Sequence, residues 1–309
     1  MADILQTKKK KIIIIGYGSM GKRYENYLRK RFKVDLYDKK KIKKKNFIND
    51  LKLVNSNNYY FAIISTPPKY HQKFCNLCVN GNLDFIVEKP LFLKKEGWEK
   101  ILNKIKKKKL ICNVAYPRRL GLAYNYIKNL IKSGKIGNLK IIKSNYSQDF
   151  RKLRKDYRKI YYSKKNQGGG IIFDALTHHI NLMSFYGGTI NKIKKFETKL
   201  AYRDIKVNDT GIMIVEFKKN IIGLIFGNQF QKPNLDEIEF IGTKNNIIFN
   251  RIENKIFLIN KRKKLIKSFQ EKYHDMFNKQ ILNFLNCIKK RKKTSTTLKE
   301  EYHNLSKLK

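Results

Sequence analysis

The sequence predicts an α/β protein of two domains, in which a doubly wound parallel sheet is followed by an α/β part with a mostly antiparallel sheet. In the first third of the chain, short apolar runs alternate with longer amphipathic ones, the order that parallel pairing requires. From about residue 119, closely spaced apolar runs are joined by short polar turns, which is typical of hairpins. The 309 residues suffice for two hydrophobic cores. We place the domains at 1–118 and 119–309 and leave open whether the last helix returns to the first domain.

Five strands and three helices are predicted in the first domain. The strands are short apolar runs at 12–15, 34–37, 60–64, 85–87 and 110–114. The helices have apolar residues at helical spacing, at 20–31, 70–79 and 94–106. Because right-handed crossovers join parallel strands, these units wind into an open sheet that is covered on both faces.

The second domain is predicted to open with a helix at 122–132, which ends at Ser133 and Gly134, and a strand at 139–145. Further strands, joined by short polar turns, are predicted at 211–217, 221–226, 238–241, 247–249 and 255–259. Two helices follow, at 272–289 and 298–308.

The charge balance is strongly basic, with 70 Lys and Arg against 24 Asp and Glu and a formal net charge of +46. Such an excess attracts polyanions, but the basic residues are spread over the whole length and form no zinc-finger or RNA-binding signature. We therefore expect no specific nucleic-acid partner, and any such binding should fade steeply with salt. Because acidic residues are scarce in this chain, we treat three of them as candidate functional residues: Asp38, Glu88 and Asp174.

No apolar stretch approaches the ~20 residues that span a bilayer, so no membrane association is expected. The four cysteines show no disulfide-framework spacing and indicate a reducing compartment, with the cytoplasm as the default. Cys75 and Cys78 form a C-x-x-C pair within an amphipathic helical pattern, without a second pair nearby. A core-facing pair is favoured over zinc or redox chemistry, and no metal site is predicted.

A dinucleotide-binding turn is predicted where the first strand runs into a helix through Gly16, Tyr17, Gly18, Ser19, Met20 and Gly21. The spacing G-x-G-x-x-G permits a tight turn, close approach of the backbone to a pyrophosphate, and close packing of helix on strand. Asp38 ends the second strand 22 residues after Gly16, near the spacing of the acid that binds an adenosine ribose. That carboxylate favours NAD, but Lys39 and Lys40 could offset its repulsion of a 2′-phosphate, so NADP stays open.

The loop after the third strand, Ser65-Thr66-Pro67-Pro68, lies at the carboxyl edge of the sheet, where open parallel sheets bind ligands. Ser65, Thr66 and Pro67 are therefore candidate cofactor contacts. His71 follows, either as a further contact or as a helix-start residue packed under the loop.

Glu88-Lys89-Pro90 ends the fourth strand at the same edge. An ammonium there could hydrogen-bond a substrate hydroxyl and lower its proton affinity, with Glu88 holding Lys89 in place. Both residues are also candidate cofactor contacts.

Three glycines, Gly168 to Gly170, precede an apolar stretch that suggests a helix entered from a flexible loop. On that helix, Asp174 and His178 stand four residues apart and share one face. A histidine there can take a proton from an alcohol while the aspartate orients substrate or imidazole. The alternative is a buried Asp–His pair.

The motifs Gly-Tyr-Gly-Ser-Met-Gly, Ser-Thr-Pro-Pro-x-x-His, Glu-Lys-Pro and Gly-Gly-Gly-x-x-x-Asp-x-x-x-His, in this order, resemble the Gfo/Idh/MocA family of sugar and polyol oxidoreductases. The resemblance implies a Rossmann domain, a second domain with a large open sheet, and dimers or tetramers that pack through that sheet. It also implies that Lys89 and His178 serve the substrate hydroxyl, with Asp174 beside them. The family commonly has an acid where this chain has Asn181, and His179 competes with His178 as the base.

Between residues 151 and 165 lie eight basic residues and one acid, in a loop that the resemblance places over the substrate. Arg158, with Arg118 or Arg119, could meet a carboxylate or phosphate of the substrate. The alternative is a solvated surface loop. Residues 156–159 and 161–165 also resemble family members of surface-polysaccharide pathways.

The sequence thus predicts an NAD(P)-dependent oxidoreductase that transfers a hydride to or from a secondary alcohol of a sugar-like substrate, anionic or nucleotide-linked. Lys89, Asp174 and His178 are the candidate catalytic residues. Two alternatives remain open: a glycoside-cleaving or lyase-type enzyme that oxidises its substrate only transiently, and a non-catalytic regulator that senses dinucleotide. Retention of both Lys89 and His178 argues against the regulator, because a sensor needs neither.

Overall fold

The computed structural model describes residues 10–308. Its contacts divide the chain into two units, one running up to Ala115 together with Ile281–Tyr302, the other formed by Tyr116–Gln280 and the residues from His303. The sequence puts the boundary at 118/119, and the contacts put it at 115/116.

The first unit is built on a five-stranded sheet in the order β2-β1-β3-β4-β5, with every pairing parallel. Its elements are β1 (Lys11–Ile15), α1 (Ser19–Leu28), β2 (Lys33–Tyr37), β3 (Ala62–Ile64), α2 (His71–Asn80), β4 (Phe85–Val87), α3 (Trp98–Lys107) and β5 (Cys112–Val114). The four isoleucines of β1 are all fully buried, as expected for a central strand covered on both faces. The predicted doubly wound sheet is confirmed.

The second unit is built on an eight-stranded sheet in the order β13-β12-β11-β10-β6-β9-β8-β7. Only the β6–β9 pairing is parallel, so the prediction of a large, mostly antiparallel sheet is confirmed. Its elements are α4 (Leu122–Lys132), β6 (Leu139–Asp149), α5 (Phe150–Leu153), α6 (Thr177–Gly187), β7 (Ile190–Thr198), β8 (Thr210–Phe217), β9 (Ile222–Asn228), β10 (Phe230–Gly242), β11 (Asn246–Asn250), β12 (Lys255–Ile259) and β13 (Lys263–Ser268). Apolar residues of α4 and α6 form one core with the inner face of this sheet.

Two helices complete the described chain, α7 (Tyr273–Lys290) and α8 (Leu298–Leu305). The division between the units falls within each of them. No helix in residues 10–308 combines the length and the apolar character that crossing a membrane requires.

Three strands differ most from the sequence prediction. β7 and β13 are not predicted, because lysines interrupt their apolar pattern: β13 reads KKLIKS and is largely exposed at the sheet edge. Lysines on an edge strand disfavour pairing with other chains. β10 begins at Phe230, eight residues before the predicted strand, because its first half is polar and exposed.

Candidate active site

The glycine turn after β1 has the shape that a dinucleotide requires. Gly16 has φ +99°, and a Cβ there would lie 2.7 Å from backbone atoms of Ser65 and Thr66. A Cβ on Gly21 would lie 2.1 Å from the carbonyl oxygen of Gly16, so only glycine lets α1 pack this closely. A Cβ on Gly18 would meet nothing within 4 Å, so the backbone there is open to an incoming phosphate. Ser19 and Met20 begin α1 next to this opening.

Asp38, directly after β2, accepts hydrogen bonds from two backbone N–H groups. Tyr17 N–H donates to Oδ2 at 2.7 Å and Lys40 N–H donates to Oδ1 at 3.0 Å. These bonds fix the carboxylate beside the glycine turn while the side chain stays partly exposed. A carboxylate so held can accept hydrogen bonds from the hydroxyls of an adenosine ribose.

Glu25 of α1 stabilises the same turn and was not among the predicted residues. Tyr17 donates its hydroxyl to Glu25, and Lys44 forms an ion pair with it at 2.6 Å. Burial raises the pKa of Glu25, but hydrogen bonds from Lys44, Tyr17 and Asn46 outweigh it, and the net pKa is lowered. Because acidic residues are scarce in this chain, the sequence alone could have marked Glu25 as a candidate.

His71, the first residue of α2, is fully buried between two loops of the carboxyl edge. Its Nδ1 lies 3.0 Å from the carbonyl oxygen of Pro90, and its Nε2 lies 2.8 Å from that of Thr66. Desolvation lowers the pKa of His71 to about 4. At neutral pH the imidazole is therefore uncharged, and its single N–H donates to only one of these carbonyl oxygens. The ring packs between the loops after β3 and β4, as the packed alternative describes. Ser65 joins the first of these loops to the glycine turn by donating to the carbonyl of Gly16 at 2.7 Å.

Glu88 and Lys89 follow β4 at this edge, and both are partly exposed. Tyr24 donates its hydroxyl to Glu88 at 2.8 Å. Desolvation raises the pKa of Glu88, although the Tyr24 hydrogen bond and the Lys89 ammonium oppose it. The Lys89 ammonium therefore acts on the charge of Glu88, and the role of Glu88 in holding Lys89 in place stays a prediction.

In the second unit, Asp174 and His178 lie on one open face of a helix that starts with a π-helical turn. This turn spans Ile172–Leu176, and Thr177 N–H donates to the carbonyl of Ile172, five residues back. Asp174 and His178 are partly exposed, whereas the three residues between them are buried. Neither side chain is fully buried, which the alternative of a buried pair does not describe, although Nδ1 of His178 is enclosed.

The expectation of a flexible glycine loop before this helix is wrong. Gly168 to Gly170 are packed: a Cβ on Gly169 would lie 2.0 Å from the carbonyl oxygen of Tyr162, and Gly170 has φ +90°. Gly169 is needed because the 161–162 backbone passes directly against it, and Gly168 and Gly170 because their φ angles are +88° and +90°.

Two tyrosines that the sequence analysis missed contact the Asp174–His178 face. Tyr161 donates its hydroxyl to Asp174. The ring of Tyr116 meets the imidazole of His178 edge-on, with centroids 5.4 Å apart. The Tyr-Tyr pair before the glycines was visible in the sequence, but nothing there indicated which of the two rings points to the helix.

His179 is fully buried and serves the fold of the second unit. Its Nε2 lies 3.1 Å from a guanidinium nitrogen of Arg118, and its Nδ1 lies 2.5 Å from Ser144 Oγ. Since a guanidinium only donates, Nε2 accepts and the proton is on Nδ1. Desolvation, together with the Arg118 charge, lowers the pKa of His179 to about 3. Its nitrogens are thus both engaged by buried partners, and His178 as the base stays a prediction.

Arg118 and Arg119, predicted to contact substrate, are 7% and 5% exposed and have buried partners. Arg118 also lies 3.7 Å from Asp236. Arg119 donates to the Asn181 side chain at 2.7 Å and to its carbonyl at 2.8 Å. Asn181, where the family commonly has an acid, is therefore a partner of Arg119.

Arg158 is separate from this pair of arginines and largely exposed. Its Nε donates to Asp204 at 2.6 Å, and Arg151 pairs with the other oxygen of that carboxylate at 2.9 Å. Of the three predicted arginines, Arg158 is thus the one with an accessible guanidinium.

The glycine turn, the held aspartate and the open Asp–His face define a dinucleotide-binding oxidoreductase. The family model for the NAD-binding Rossmann fold of the oxidoreductase family matches residues 10–116, and that for the GFO/IDH/MocA C-terminal domain matches residues 124–248. The chain belongs to the Gfo/Idh/MocA family, and the predictions of an enzyme and of NAD as its cofactor are confirmed.

Two curated relatives show how far the sequence similarity extends. The chain is 28% identical to Oxidoreductase P35 of Formosa agariphila over 150 residues, which is 46% of each chain. It is 24% identical to the scyllo-inositol 2-dehydrogenase (NAD(+)) of Bacillus subtilis over 238 residues, which is 73% of this chain and 66% of the relative. The chain thus matches about half of the first relative and just under two thirds of the second.

A solved structure shows the fold over nearly the whole chain. Levoglucosan dehydrogenase in complex with NADH superposes with a TM-score of 0.83, covering 97% of this chain and 95% of the other, at 17% identity.

Proposed function

We propose that the protein is an NAD-dependent dehydrogenase that interconverts a secondary alcohol and a ketone on a sugar-like substrate. The observation that carries the proposal is the face of the π-turn and α6 on which Asp174 and His178 are both partly exposed, while His179 is buried and neutral. The named activities of the relatives, on scyllo-inositol and levoglucosan, agree with a polyol or sugar substrate.

Each residue has a role that follows from its chemistry. His178 takes the hydroxyl proton when the alcohol is oxidised and returns it when the ketone is reduced. Lys89 donates a hydrogen bond to the same oxygen and stabilises the negative charge that develops there. Asp174 accepts hydrogen bonds from neighbouring substrate hydroxyls and so fixes the orientation of the ring. The nicotinamide, when bound, supplies the hydride acceptor or donor.

The cofactor is assigned to named residues of the first unit. The N–H groups at Gly18, Ser19 and Met20 would hold the pyrophosphate, and Asp38 would accept from the adenosine ribose. The loop of Ser65, Thr66 and Pro67 would border the site, whereas His71 positions that loop without touching ligand.

The charged-substrate hypothesis now depends on Arg158 alone. Its guanidinium is exposed, and an anionic group of the substrate could join or replace Asp204 as its partner. A uronic acid, a nucleotide sugar or another surface-polysaccharide precursor would fit. Arg158→Gln should then reduce turnover of charged sugars selectively; an equal loss for neutral sugars would reject the charged substrate but not the dehydrogenase.

The protein is further proposed to be cytoplasmic and to form a homodimer or homotetramer. The four cysteines are free and buried, as suits a reducing compartment. The outer face of β7, β8 and β9 carries exposed Phe196, Ile212, Ile214, Ile222, Leu224 and Phe226, which we call the sheet patch. Ile212 pairs with Phe226, and Ile214 with Leu224, so the patch is continuous. A second copy would bury it.

The dehydrogenase is tested by following NADH absorbance with a panel of scyllo-inositol, myo-inositol, levoglucosan, UDP-N-acetylglucosamine and glucuronate. With any substrate that reacts, His178→Gln should lower kcat at least 100-fold while NADH affinity and the melting temperature stay unchanged. The exposed His274→Gln is the matched control and should leave kcat as it is. Full activity of His178→Gln would refute the assignment, and substrate conversion without net NADH change would favour transient oxidation.

A further inference from the structure

An open cleft of about 540 Å³ lies in the first unit, away from the dinucleotide turn. It is bounded by the end of α3, by Leu110 and Ile111, which enter β5, and by the segment 291–302, which leads into α8. In a parallel sheet, the residues that enter the strands lie at the edge opposite to those that leave them. Gly16, Ser65 and Lys89 all follow strands, so this cleft lies at the other edge of the sheet.

The wall of the cleft is mostly apolar. Leu102, Ile105, Leu110, Ile111 and Leu298 contribute to it, and none of them is more than partly exposed. Its volume lies within the range of about 300–1,000 Å³ typical of small-molecule sites. A ligand that covers this wall removes apolar surface from water, which favours binding.

The rim carries a strong positive charge, and no nearby carboxylate in the described part of the chain neutralises it by an ion pair. Five exposed lysines line it: Lys106, Lys109, Lys292, Lys293 and Lys299. Within residues 10–308, none of these five ammonium groups has a carboxylate partner.

The other two charged residues of the lining are already engaged. Arg291 pairs with Asp84 at 2.7 Å, and Glu99 accepts from Tyr302 at 2.8 Å. The five lysines therefore repel one another across an apolar wall, and a bound anion would relieve that repulsion.

We propose that this cleft binds a small amphipathic anion. The hydrocarbon or aromatic body of the ligand lies on the wall of Leu110, Ile111 and Leu298, and its phosphate, sulfate or carboxylate group contacts the lysine rim. Lysines are abundant throughout this chain, so charge alone does not distinguish the cleft. Its distinction is that unpaired lysines surround an apolar wall of ligand size, which favours an amphipathic anion over a purely ionic one.

The test uses 1-anilinonaphthalene-8-sulfonate, an aromatic sulfonate whose fluorescence rises in apolar sites, with the full chain saturated with NAD so that the dinucleotide site is filled. One saturable site per chain is expected. Octyl phosphate should displace the probe, whereas octyl glucoside, with the same chain and an uncharged head, should not do so at the same concentration.

Matched variants separate the cleft from the general positive charge. Lys106→Gln with Lys299→Gln should weaken the probe and octyl phosphate at least tenfold. The control pair Lys30→Gln with Lys33→Gln removes two exposed lysines elsewhere in the same unit and should change both affinities less than twofold. Asn103→Trp, at the lining, should fill the cleft and abolish binding.

Several results would overturn the proposal: no saturable binding, equal weakening in both lysine pairs, no weakening in either, displacement by octyl glucoside, or full binding by a folded Asn103→Trp protein. Circular dichroism establishes folding of each variant. Should Asn103→Trp fail to fold, the comparison of the two lysine pairs decides.

Discussion

The hydroxyl of Tyr161 donates a hydrogen bond to the carboxylate of Asp174, the acid four residues before His178. The neighbouring Tyr162 is fully buried and packs against Phe150, with ring centroids 4.1 Å apart and the ring planes tilted by 36°. The two adjacent tyrosines therefore have different roles. Tyr162 anchors the loop 151–165 in a separate cluster of buried, mostly aromatic residues, whereas Tyr161 connects that loop to the candidate active site.

Replacing Tyr161 by Phe should therefore affect substrate binding. The variant loses a hydrogen bond to a charged group, worth about 1.5–3 kcal/mol, so the Asp174 carboxylate is held less firmly. We expect KM for the best substrate of the panel to rise at least fivefold, with a smaller change in kcat, in steady-state assays of NADH formation.

Tyr162→Phe is the matched control for this change. Within residues 10–308, the Tyr162 hydroxyl is buried without a hydrogen-bond partner. Its removal should leave KM unchanged and the melting temperature unchanged or slightly higher. Equal effects of the two variants would show that the loop tolerates no change and that Tyr161 has no special link to the site.

Two alanine substitutions in the glycine turn should have opposite consequences. Gly18→Ala adds a methyl group to open space, so the protein should fold normally but bind NADH at least tenfold more weakly, because that space is assigned to the pyrophosphate. Gly21→Ala forces a Cβ against the Gly16 carbonyl, so it should lower the melting temperature by several degrees. Fluorescence titration and circular dichroism separate the two effects; unchanged NADH affinity in Gly18→Ala would contradict the placement of the phosphates.

Local signals made the first unit predictable from sequence. The β1–glycine–α1 turn and Asp38 depend on spacing within one supersecondary unit, and so does the run of buried isoleucines. Asp174 and His178 were expected on one face for the same reason, and both are partly exposed with three buried residues between them despite the π-helical start.

The pairings within the second unit could not be predicted. Arg119 and Asn181 are 62 residues apart in sequence, and His179 meets Ser144 across 35 residues. No periodicity encodes such contacts, so buried arginines and an exposed one look alike in the sequence. The lysine-rich β13 is likewise a strand only because β12 is there to pair with it.

Acidification should destabilise the first unit through His71. Burial lowers its pKa from 6.5 to about 4, so the native state binds fewer protons than the unfolded chain between these pH values. The free energy of unfolding therefore falls as the pH drops through this window, by about 2 kcal/mol between pH 7 and pH 5.

Urea unfolding at pH 5, 6 and 7 measures this slope. His71→Asn should flatten it, although not to zero, because His179 contributes in the same direction. His274→Gln, at an exposed position, should keep the full slope. A His71→Asn protein with an unchanged slope would mean that the buried imidazole is not the titrating group.

The sheet patch should decide the oligomeric state. Ile214 and Leu224 are 42% and 38% exposed and face each other across β8 and β9, so a charge on each places two ions in any interface that uses this face. Sedimentation velocity should find a dimer or tetramer for the native protein and a smaller species for Ile214→Lys with Leu224→Lys, both still binding NADH. Leu53→Lys, at a 64% exposed leucine of the first unit, controls for removal of an apolar side chain and should keep the native assembly. If the double variant sediments like the native protein, the copies meet through another surface or the chain is monomeric.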